Sequence, residues 1–317
     1  MRCSSKRPDV VTEVVTSAVV FAYHNVGVRC LQVLLAQGVA VPLVVTHQND
    51  PNEEVWFGSV AALANANGIP VITPDDPNTE DLIARIRSLA PDFLFSFYYR
   101  RMLKPVLLAI PTRGAFNMHG SLLPKFRGRA PVNWAVIKGA TQTGATLHEM
   151  VEKPDAGRLV DQQAVTIGPD DTAIEVFHKV TDAASAVLSR ALPAMLAGTA
   201  VLKPQDLTQG SYFGGRKPED GRIDWRMSAK SIHDLVRGVA PPYPGAFASM
   251  GDCSFRILRT RLEHGRRARQ GEPGLYCEGG VLFADCADGK VLRLLETDGG
   301  PDPASLGNNK IAFTRNP

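Results

Sequence analysis

The sequence predicts an α/β fold, with a Rossmann-like, mostly parallel sheet that has helices on both faces, followed by a small β-rich, OB-like C-terminal domain. Up to residue 203, short apolar runs alternate with stretches of helical spacing, which is the order of a parallel sheet with crossover helices. The run 92–97 is almost entirely apolar, as in a strand buried on both faces. Beyond residue 247, short apolar runs between Gly and Asp turn residues indicate a β domain.

The first elements follow in order along the chain. Strands are predicted at 18–22, 41–46, 71–72 and 92–97. Helices are predicted at 28–37, 56–67 and 79–90, with a turn at 23–27 before the first of them. Gly38 and Gly68 end the first two helices, and Thr79 is the expected N-cap of the third.

The order of elements changes in the second half of the chain. Further strands are predicted at 143–151 and 159–167, and the segment Asp170-Asp171-Thr172 is expected to cap a long helix that ends at Ala197. Short strands are predicted at 255–258, 274–277, 281–284 and 291–296. The chain is therefore expected to divide into an N-terminal extension 1–16, a catalytic domain 17–203, a linker 204–221 and a C-terminal β-rich domain 222–317.

Composition and absent motifs narrow the function. The net charge is +3, from 35 Lys and Arg against 32 Asp and Glu, which argues against a dedicated nucleic-acid binder. No apolar run suits a membrane helix, and no signal peptide is visible, so a soluble cytoplasmic protein is expected. The five scattered cysteines form no C-x-x-C pair and predict neither a disulfide framework nor a metal site. Neither G-x-G-x-x-G nor a P-loop is present, which disfavours NAD and P-loop ATP binding.

One segment carries residues suited to chemistry, namely 115–129, with the sequence A-F-N-M-H-G-S-L-L-P-K-F-R-G-R. It follows a predicted strand. Asn117 and His119 are two residues apart, so on an extended chain they project to the same face. An Asn amide can donate to a developing oxyanion, and a His can exchange a proton near neutral pH. Taken alone, Asn117 could instead satisfy backbone groups in a turn.

The same segment closely resembles the signature of the folate-dependent formyltransferases, N-x-H-x-S-x-L-P-x-x-x-G, which is matched from Asn117 to Gly128. That family also has an Asp thirty-six residues after the His, and here this residue is Asp155. Asp155 alone could be an ordinary turn residue, but the joint match favours catalysis. The resemblance therefore implies Asn117, His119 and Asp155 as catalytic residues. The other histidines are expected to be surface or packing residues, at positions 24, 47, 148, 178, 233 and 264.

The resemblance also implies the ligands. The co-substrate would be 10-formyltetrahydrofolate, no metal would take part, and the formyl group would move to a primary amine. The folate is expected beyond the strand 92–97, in contact with two short segments: Arg101, Met102 and Leu103, and the loop Val151, Glu152, Lys153, Pro154 and Asp155. Arg129 is a further candidate contact for an anionic ligand, or else a surface residue beside a helix. Asn117 and a protonated His119 would stabilise the oxyanion, and Asp155 would favour the protonated imidazole.

Two acceptors compete within the family. The sequence is closer to the enzymes that formylate UDP-4-amino-4-deoxy-L-arabinose, in lipid A modification and polymyxin resistance, than to those that formylate methionyl-tRNA. The resemblance lies in F-S-F-Y-Y-R at 95–100, in Gly120 after His119, and in the run 213–220. Residues 205–317 hold 16 Lys and Arg against 14 Asp and Glu. This small excess of positive charge is less than expected of a domain that binds tRNA phosphates. Methionyl-tRNA, other nucleotide-linked amino sugars and a non-catalytic folate- or nucleotide-binding module remain alternatives, and no oligomeric state is predicted.

Overall fold

Two sheets organise the chain. The computed structural model describes residues 15–51, 54–251, 253–300, 302, 306 and 308–313. Nearly all of the predicted N-terminal extension 1–16 lies outside these residues. The first sheet has seven strands, namely β1 (Ser17–Ala22), β2 (Ala40–Val45), β3 (Val71–Ile72), β4 (Phe93–Phe97), β5 (Ala115–His119), β7 (Gln142–Glu149) and β8 (Leu159–Thr166). A separate short pair is formed by β6 (Arg127–Gly128) and β9 (Tyr212–Phe213).

Helices connect and cover this sheet. They are α1 (His24–Ala36), α2 (Val60–Ala66), α3 (Glu80–Leu89), α4 (Pro105–Leu108), α5 (Pro131–Ile137) and α6 (Ala173–Leu196). The longest, α6, begins with a capping box: the Thr172 hydroxyl accepts from the Glu175 backbone N–H, and the Glu175 carboxylate accepts from Thr172. At the end of α1, Gly38 has a φ of +76°, the left-handed conformation that glycine adopts without strain.

The strand order of the large sheet is β3-β2-β1-β4-β5-β7-β8. The first five strands are parallel, whereas β7 runs antiparallel to β5 and β8 antiparallel to β7. The chain leaves β1 towards β2 on one side and later returns to β4 on the other. In open α/β sheets ligands bind at such a switch point, beyond the carboxyl ends of the strands. The residues that follow β1, β4 and β5 therefore border the expected crevice.

Apolar side chains pack on both faces of the large sheet. Phe93, Phe95 and Phe97 of β4 join the core that packs against α1 and α6. Leu94, on the opposite face of the same strand, joins the core with α3. The strand is thus buried on both faces, as its apolar sequence predicts.

The second sheet is antiparallel, with the strand order β10-β11-β14-β13-β12-β15. Its strands are β10 (Ala246–Met250), β11 (Cys253–Leu262), β12 (Gly274–Glu278), β13 (Val281–Asp285), β14 (Val291–Asp298) and β15 (Ile311–Ala312). Helix α7 (Ala229–Val239), which was not predicted, packs Ile232 and Val236 into the same core as Ile257 and Leu292. The predicted fold class, a mostly parallel sheet followed by a small β-rich domain, is confirmed.

Two local features differ from the sequence predictions. Residues 23–27 do not form a turn, since α1 already begins at His24. The residues that suggested a turn make contacts with the following segment instead. Asn25 accepts a hydrogen bond from the Gly58 backbone at 2.7 Å, and Gly27 allows α1 to lie close to Val60. The segment predicted as a linker carries two 3₁₀ helices, Leu207–Gln209 and Pro218–Gly221, in addition to β9. The predicted domain boundaries stay predictions.

Candidate active site

Asn117 and His119 lie on β5, between β4 and β7. In the antiparallel pairing with β7, Asn117 stands opposite His148, and His119 stands opposite Thr146. His119 is buried, whereas Asn117 is half-buried. The carboxyl end of β5 thus presents an amide and an imidazole near the switch point, as the spacing of the two residues predicts.

The loop after β5 is held in place by side chains of β7 and β8. The Thr146 hydroxyl donates to the Ser121 carbonyl at 2.6 Å and accepts from the Leu123 backbone N–H at 3.2 Å. The Gln162 amide donates to both Thr146 and the Leu123 carbonyl. Within the loop, the Ser121 hydroxyl donates to the Lys125 carbonyl at 2.6 Å. This network fixes the backbone that surrounds His119.

Both ring nitrogens of His119 face oxygen atoms. Nε2 lies 2.9 Å from the Phe126 carbonyl oxygen, and Nδ1 lies 3.5 Å from Oδ1 of Asp155. A neutral imidazole has one N–H, whereas the protonated ring has two donors and matches both oxygens. In a protonated ring both N–H groups would thus have an acceptor within the protein.

Asp155 joins the loop after β7 to the loop after β5. Its Oδ2 accepts a hydrogen bond from the Gly128 backbone N–H at 2.8 Å, and its Oδ1 faces both His119 and His148 at 3.5 Å. Burial opposes ionisation of Asp155, but the two imidazoles and the Gly128 N–H outweigh it and hold the pKa of this carboxyl well below its usual range. The structure thus brings the three predicted catalytic residues together around an ionised carboxylate.

His148 is a member of this cluster that the sequence analysis left among the surface or packing residues. It is only 2% exposed, and its Nε2 lies 3.1 Å from the Asn117 amide nitrogen. Its Nδ1 lies 2.8 Å from the Glu149 carbonyl oxygen. Its place depends on the pairing of β5 with β7, which no short motif encodes. The predicted strand at 143–151 could have indicated only which face of that strand His148 occupies.

The two predicted folate-contact segments both adjoin one apolar cluster. Leu103 is buried in the cluster that also contains Leu94 and Leu107, and Met150, just before the loop 151–155, packs against it. Met102 and Val151 expose 58% and 39% of their surface. Arg101, Glu152 and Lys153 are also exposed, and Pro154 is half-buried. The role of these residues in folate binding stays a prediction.

Arg129 lies beside the segment that contains β9. Its backbone N–H donates to the Phe213 carbonyl at 3.0 Å. Phe213 stacks between Phe126 and Trp134, with ring centroids 5.6 and 5.0 Å apart. The Arg216 guanidinium lies 5.3 Å from the Trp134 ring centroid. The Arg216 guanidinium therefore lies over the aromatic platform, and the Arg129 side chain lies near Gly215 of the same segment.

Within the described ranges, no group of three or more His, Cys, Asp or Glu residues is placed to hold a metal ion. In that same part of the chain, no helix is both long and apolar enough to cross a membrane.

Comparison with protein families decides the classification. Residues 27–192 match the family described as formyl transferase, and residues 216–300 match the formyl transferase C-terminal domain. The chain belongs to the formyl transferase family. The resemblance found in the sequence is thereby confirmed, and so is the prediction that the protein is a formyltransferase enzyme.

Solved structures share the fold of this formyltransferase at low identity. The N-formyltransferase from Helicobacter canadensis, determined with folinic acid and dTDP-3-aminofucose, is 20% identical with a TM-score of 0.67, over 88% of this chain and 98% of that one. The sugar 3N-formyltransferase WlaRD, determined with dTDP and 5-N-formyl-THF, is 17% identical with a TM-score of 0.70, over 88% and 97%. HypX from Aquifex aeolicus, in complex with tetrahydrofolic acid, is 18% identical with a TM-score of 0.60, over 87% of this chain and 43% of that one.

Proposed function

We propose that this formyltransferase moves the formyl group of 10-formyltetrahydrofolate to the amine of a nucleotide-linked amino sugar, and that the sugar nucleotide is UDP-4-amino-4-deoxy-L-arabinose. The reaction would then belong to lipid A modification. The observation that carries the proposal is the convergence of Asn117, His119 and Asp155 at the end of β5. Two proteins of the same fold, the N-formyltransferase from Helicobacter canadensis and WlaRD, were each determined with a folate and a dTDP ligand. Their ligands support a folate and a nucleotide or nucleotide sugar as the ligand classes.

The cluster suits acyl transfer without a covalent enzyme intermediate. The neutral amine of the sugar attacks the formyl carbon, so that a C–N bond forms and the formyl oxygen becomes an oxyanion. An Asn117 amide N–H and the protonated His119 are the donors for this oxygen. For His119, whose Nδ1 faces Asp155, this requires Nε2 to exchange the Phe126 carbonyl for the formyl oxygen. The bond between the formyl carbon and the folate nitrogen then breaks. The amine loses one proton and the departing folate nitrogen gains one, so that no net proton is consumed.

Asp155 supports this chemistry through His119. Because its carboxyl has a pKa well below the usual range, it carries a negative charge throughout the neutral pH range. Its Oδ1 lies 3.5 Å from Nδ1 of His119, where it can accept from an N–H of that nitrogen. The carboxylate also accepts from Gly128 and thereby joins the two loops that border the cleft.

The sugar assignment draws on a pair of residues at the ends of β4 and β5. A Cβ on residue 120 would overlap the Tyr98 hydroxyl, so Tyr98 requires glycine after His119. Both residues belong to the pattern by which the sequence resembles the amino-arabinose enzymes. Arg216, whose guanidinium lies over the Trp134 ring, and Arg129, near Gly215, are the proposed contacts for an anionic part of the ligands.

An assay with a panel of amines tests the proposal. The purified protein is incubated with 10-formyltetrahydrofolate and UDP-4-amino-4-deoxy-L-arabinose, dTDP-linked amino sugars or methionyl-tRNA, and the formamide product is identified by mass spectrometry. We expect turnover with the UDP sugar to exceed turnover with every other acceptor. A dTDP sugar as the best acceptor would refute only the choice of sugar, whereas turnover with none of them would refute the proposed reaction.

A further inference from the structure

The hydrogen bonds of His148 define which of its nitrogens carries the proton. Nδ1 lies 2.8 Å from the carbonyl oxygen of Glu149, which can only accept. In the neutral ring the proton therefore resides on Nδ1, and Nε2 carries a lone pair. This lone pair faces the Asn117 amide nitrogen at 3.1 Å, a donor. The backbone of β7 thus makes His148 an acceptor for Asn117.

The consequence concerns the orientation of the Asn117 amide. An Asn side chain presents an oxygen and an NH₂ group on opposite edges, and rotation by half a turn exchanges them. Only the NH₂ group can donate to an oxyanion. With one N–H directed at His148, the amide is fixed in the orientation that leaves the second N–H of the same nitrogen for the formyl oxygen. An amide turned the other way would direct its oxygen lone pairs at the lone pair of Nε2.

We propose that His148 is a positioning residue for formyl transfer, whose neutral imidazole orients the Asn117 amide as the oxyanion donor. This inference rests on the proposed function. It adds a role for a residue that lies directly opposite Asn117 in the pairing of β5 with β7. His148 is only 2% exposed, so its ring is screened from solvent.

Protonation of His148 works against this arrangement. The titratable groups around the ring are Asp155, with Oδ1 at 3.5 Å, His119, whose ring centroid is 6.4 Å away, and the carboxylate of Glu149, which is paired with Arg158. With a proton on Nε2, His148 can donate to Asp155 but can no longer accept from Asn117. The amide would then lose the partner that fixes it. The proposed role therefore requires a neutral His148 beside the ionised Asp155.

Nitrogen NMR of the wild-type enzyme tests the tautomer, and a variant of residue 148 serves only to assign the signals. With ¹⁵N-labelled histidine and the His148 signals assigned through His148→Gln, we expect at pH 7.5 a protonated Nδ1 and an unprotonated Nε2. A proton on Nε2 under these conditions, in either the neutral or the charged ring, would overturn the proposal. This measurement is independent of whether the amine acceptor has been assigned correctly.

Kinetics test the positioning role. His148→Phe keeps a ring of similar size but removes the acceptor, and we expect kcat to fall about 10- to 100-fold, since one oxyanion donor is misdirected. The KM values for the folate and the amine should change by less than about 3-fold, because the donor acts mainly in the transition state. His148→Gln places an acceptor oxygen near the position of Nε2 and should recover most of the loss. His264→Gln, on an exposed loop, is the matched control.

A double-mutant cycle separates positioning from general packing. In an Asn117→Ala background, His148→Phe should lower kcat by less than about 3-fold, because the group it orients is already gone. An equal loss in both backgrounds, or a folded His148→Phe variant with nearly normal kcat, would overturn the proposal. If His148→Phe does not fold, the test uses His148→Gln instead. A folded His148→Gln variant with a kcat as low as that of Asn117→Ala would refute the positioning role. Absence of turnover in the wild type would refute the proposed function instead.

Discussion

The hydroxyl of Tyr98 occupies the space that a Cβ on residue 120 would need. Tyr98 follows β4 with a φ of +58°, and Gly120 follows β5 directly after His119. The Tyr98 hydroxyl is buried and has no hydrogen-bond partner among the described residues. Burial raises the pKa of Tyr98, so the group stays a neutral phenol. Two residues that are twenty-two positions apart in sequence therefore depend on each other through direct contact.

This contact predicts the effect of enlarging residue 120. Gly120→Ala should displace the backbone next to His119, and we expect kcat to fall by about 10-fold or more, since misplacement of catalytic groups is costly. Tyr98→Phe alone should have little effect, because the hydroxyl it removes is unpaired. In the double variant the remaining contact is the Tyr98 Cζ position at 2.9 Å, which a small shift relieves. The double variant should recover part of the lost activity, and a double variant no better than Gly120→Ala would contradict this explanation.

The three catalytic residues have distinct expected effects. Asn117→Ala and His119→Ala each remove an oxyanion donor and should lower kcat by about 100-fold or more. Asp155→Asn removes the negative charge beside His119 but keeps an acceptor for the Gly128 N–H, so it should lower kcat while the melting temperature changes little. Circular dichroism checks that each variant is folded. Folded variants with nearly normal turnover would remove these residues from the mechanism.

Arg129 and Arg216 allow the ligand contacts to be assigned. Arg129→Gln and Arg216→Gln each remove one positive charge beside the Trp134 platform. If the two side chains hold the diphosphate, KM for the nucleotide sugar should rise about 10-fold in each variant, because a charge-assisted hydrogen bond is lost. KM for the folate should then stay near normal. If Arg129→Gln raises only KM for the folate, Arg129 contacts the co-substrate instead, which is one of the roles that the sequence allows for it.

Acid should weaken the fold through His24. This residue is 7% exposed and stacks on Phe57, and burial, with the charges of Arg100 and His178, lowers its pKa from 6.5 to about 3. Between these two pH values the unfolded chain binds a proton that the folded protein does not, so the free energy of unfolding falls as the pH falls. At pH 5.5 this amounts to about 1 kcal/mol relative to pH 7.5.

Urea unfolding of the wild type and His24→Asn at both pH values measures this loss. Asn tolerates the positive φ of residue 24, +67°, and does not titrate in this range. The variant should lose less stability on acidification than the wild type. His47, whose pKa is lowered to about 4 mainly by burial, leaves some residual dependence on pH. An equal loss in both proteins would exclude His24 as a source of acid sensitivity.

Local patterns in the sequence predicted most of the large sheet and part of the site. The alternation of apolar runs with helical spacing identified β1 to β4, and the two-residue spacing of Asn117 and His119 placed both on one strand. Asp155 was found only through the family motif. His148 and β9 were missed because they reach the site through long-range pairing, with β5 and β6 respectively. Helix α7 has apolar residues at helical spacing, Ile232, Leu235, Val236 and Val239, but it lies in a region that was interpreted as β-rich.

The salt dependence of turnover tests the central claim, that the acceptor is a nucleotide-linked sugar, most directly. We would measure kcat/KM for UDP-4-amino-4-deoxy-L-arabinose and for methionyl-tRNA at about 50 and 200 mM salt, a range over which contacts to 6–10 phosphates lose several orders of magnitude in affinity. The account predicts that the UDP sugar is the better acceptor and that its kcat/KM changes only slightly, since it presents a single diphosphate. A higher kcat/KM for methionyl-tRNA that collapses with salt would contradict it.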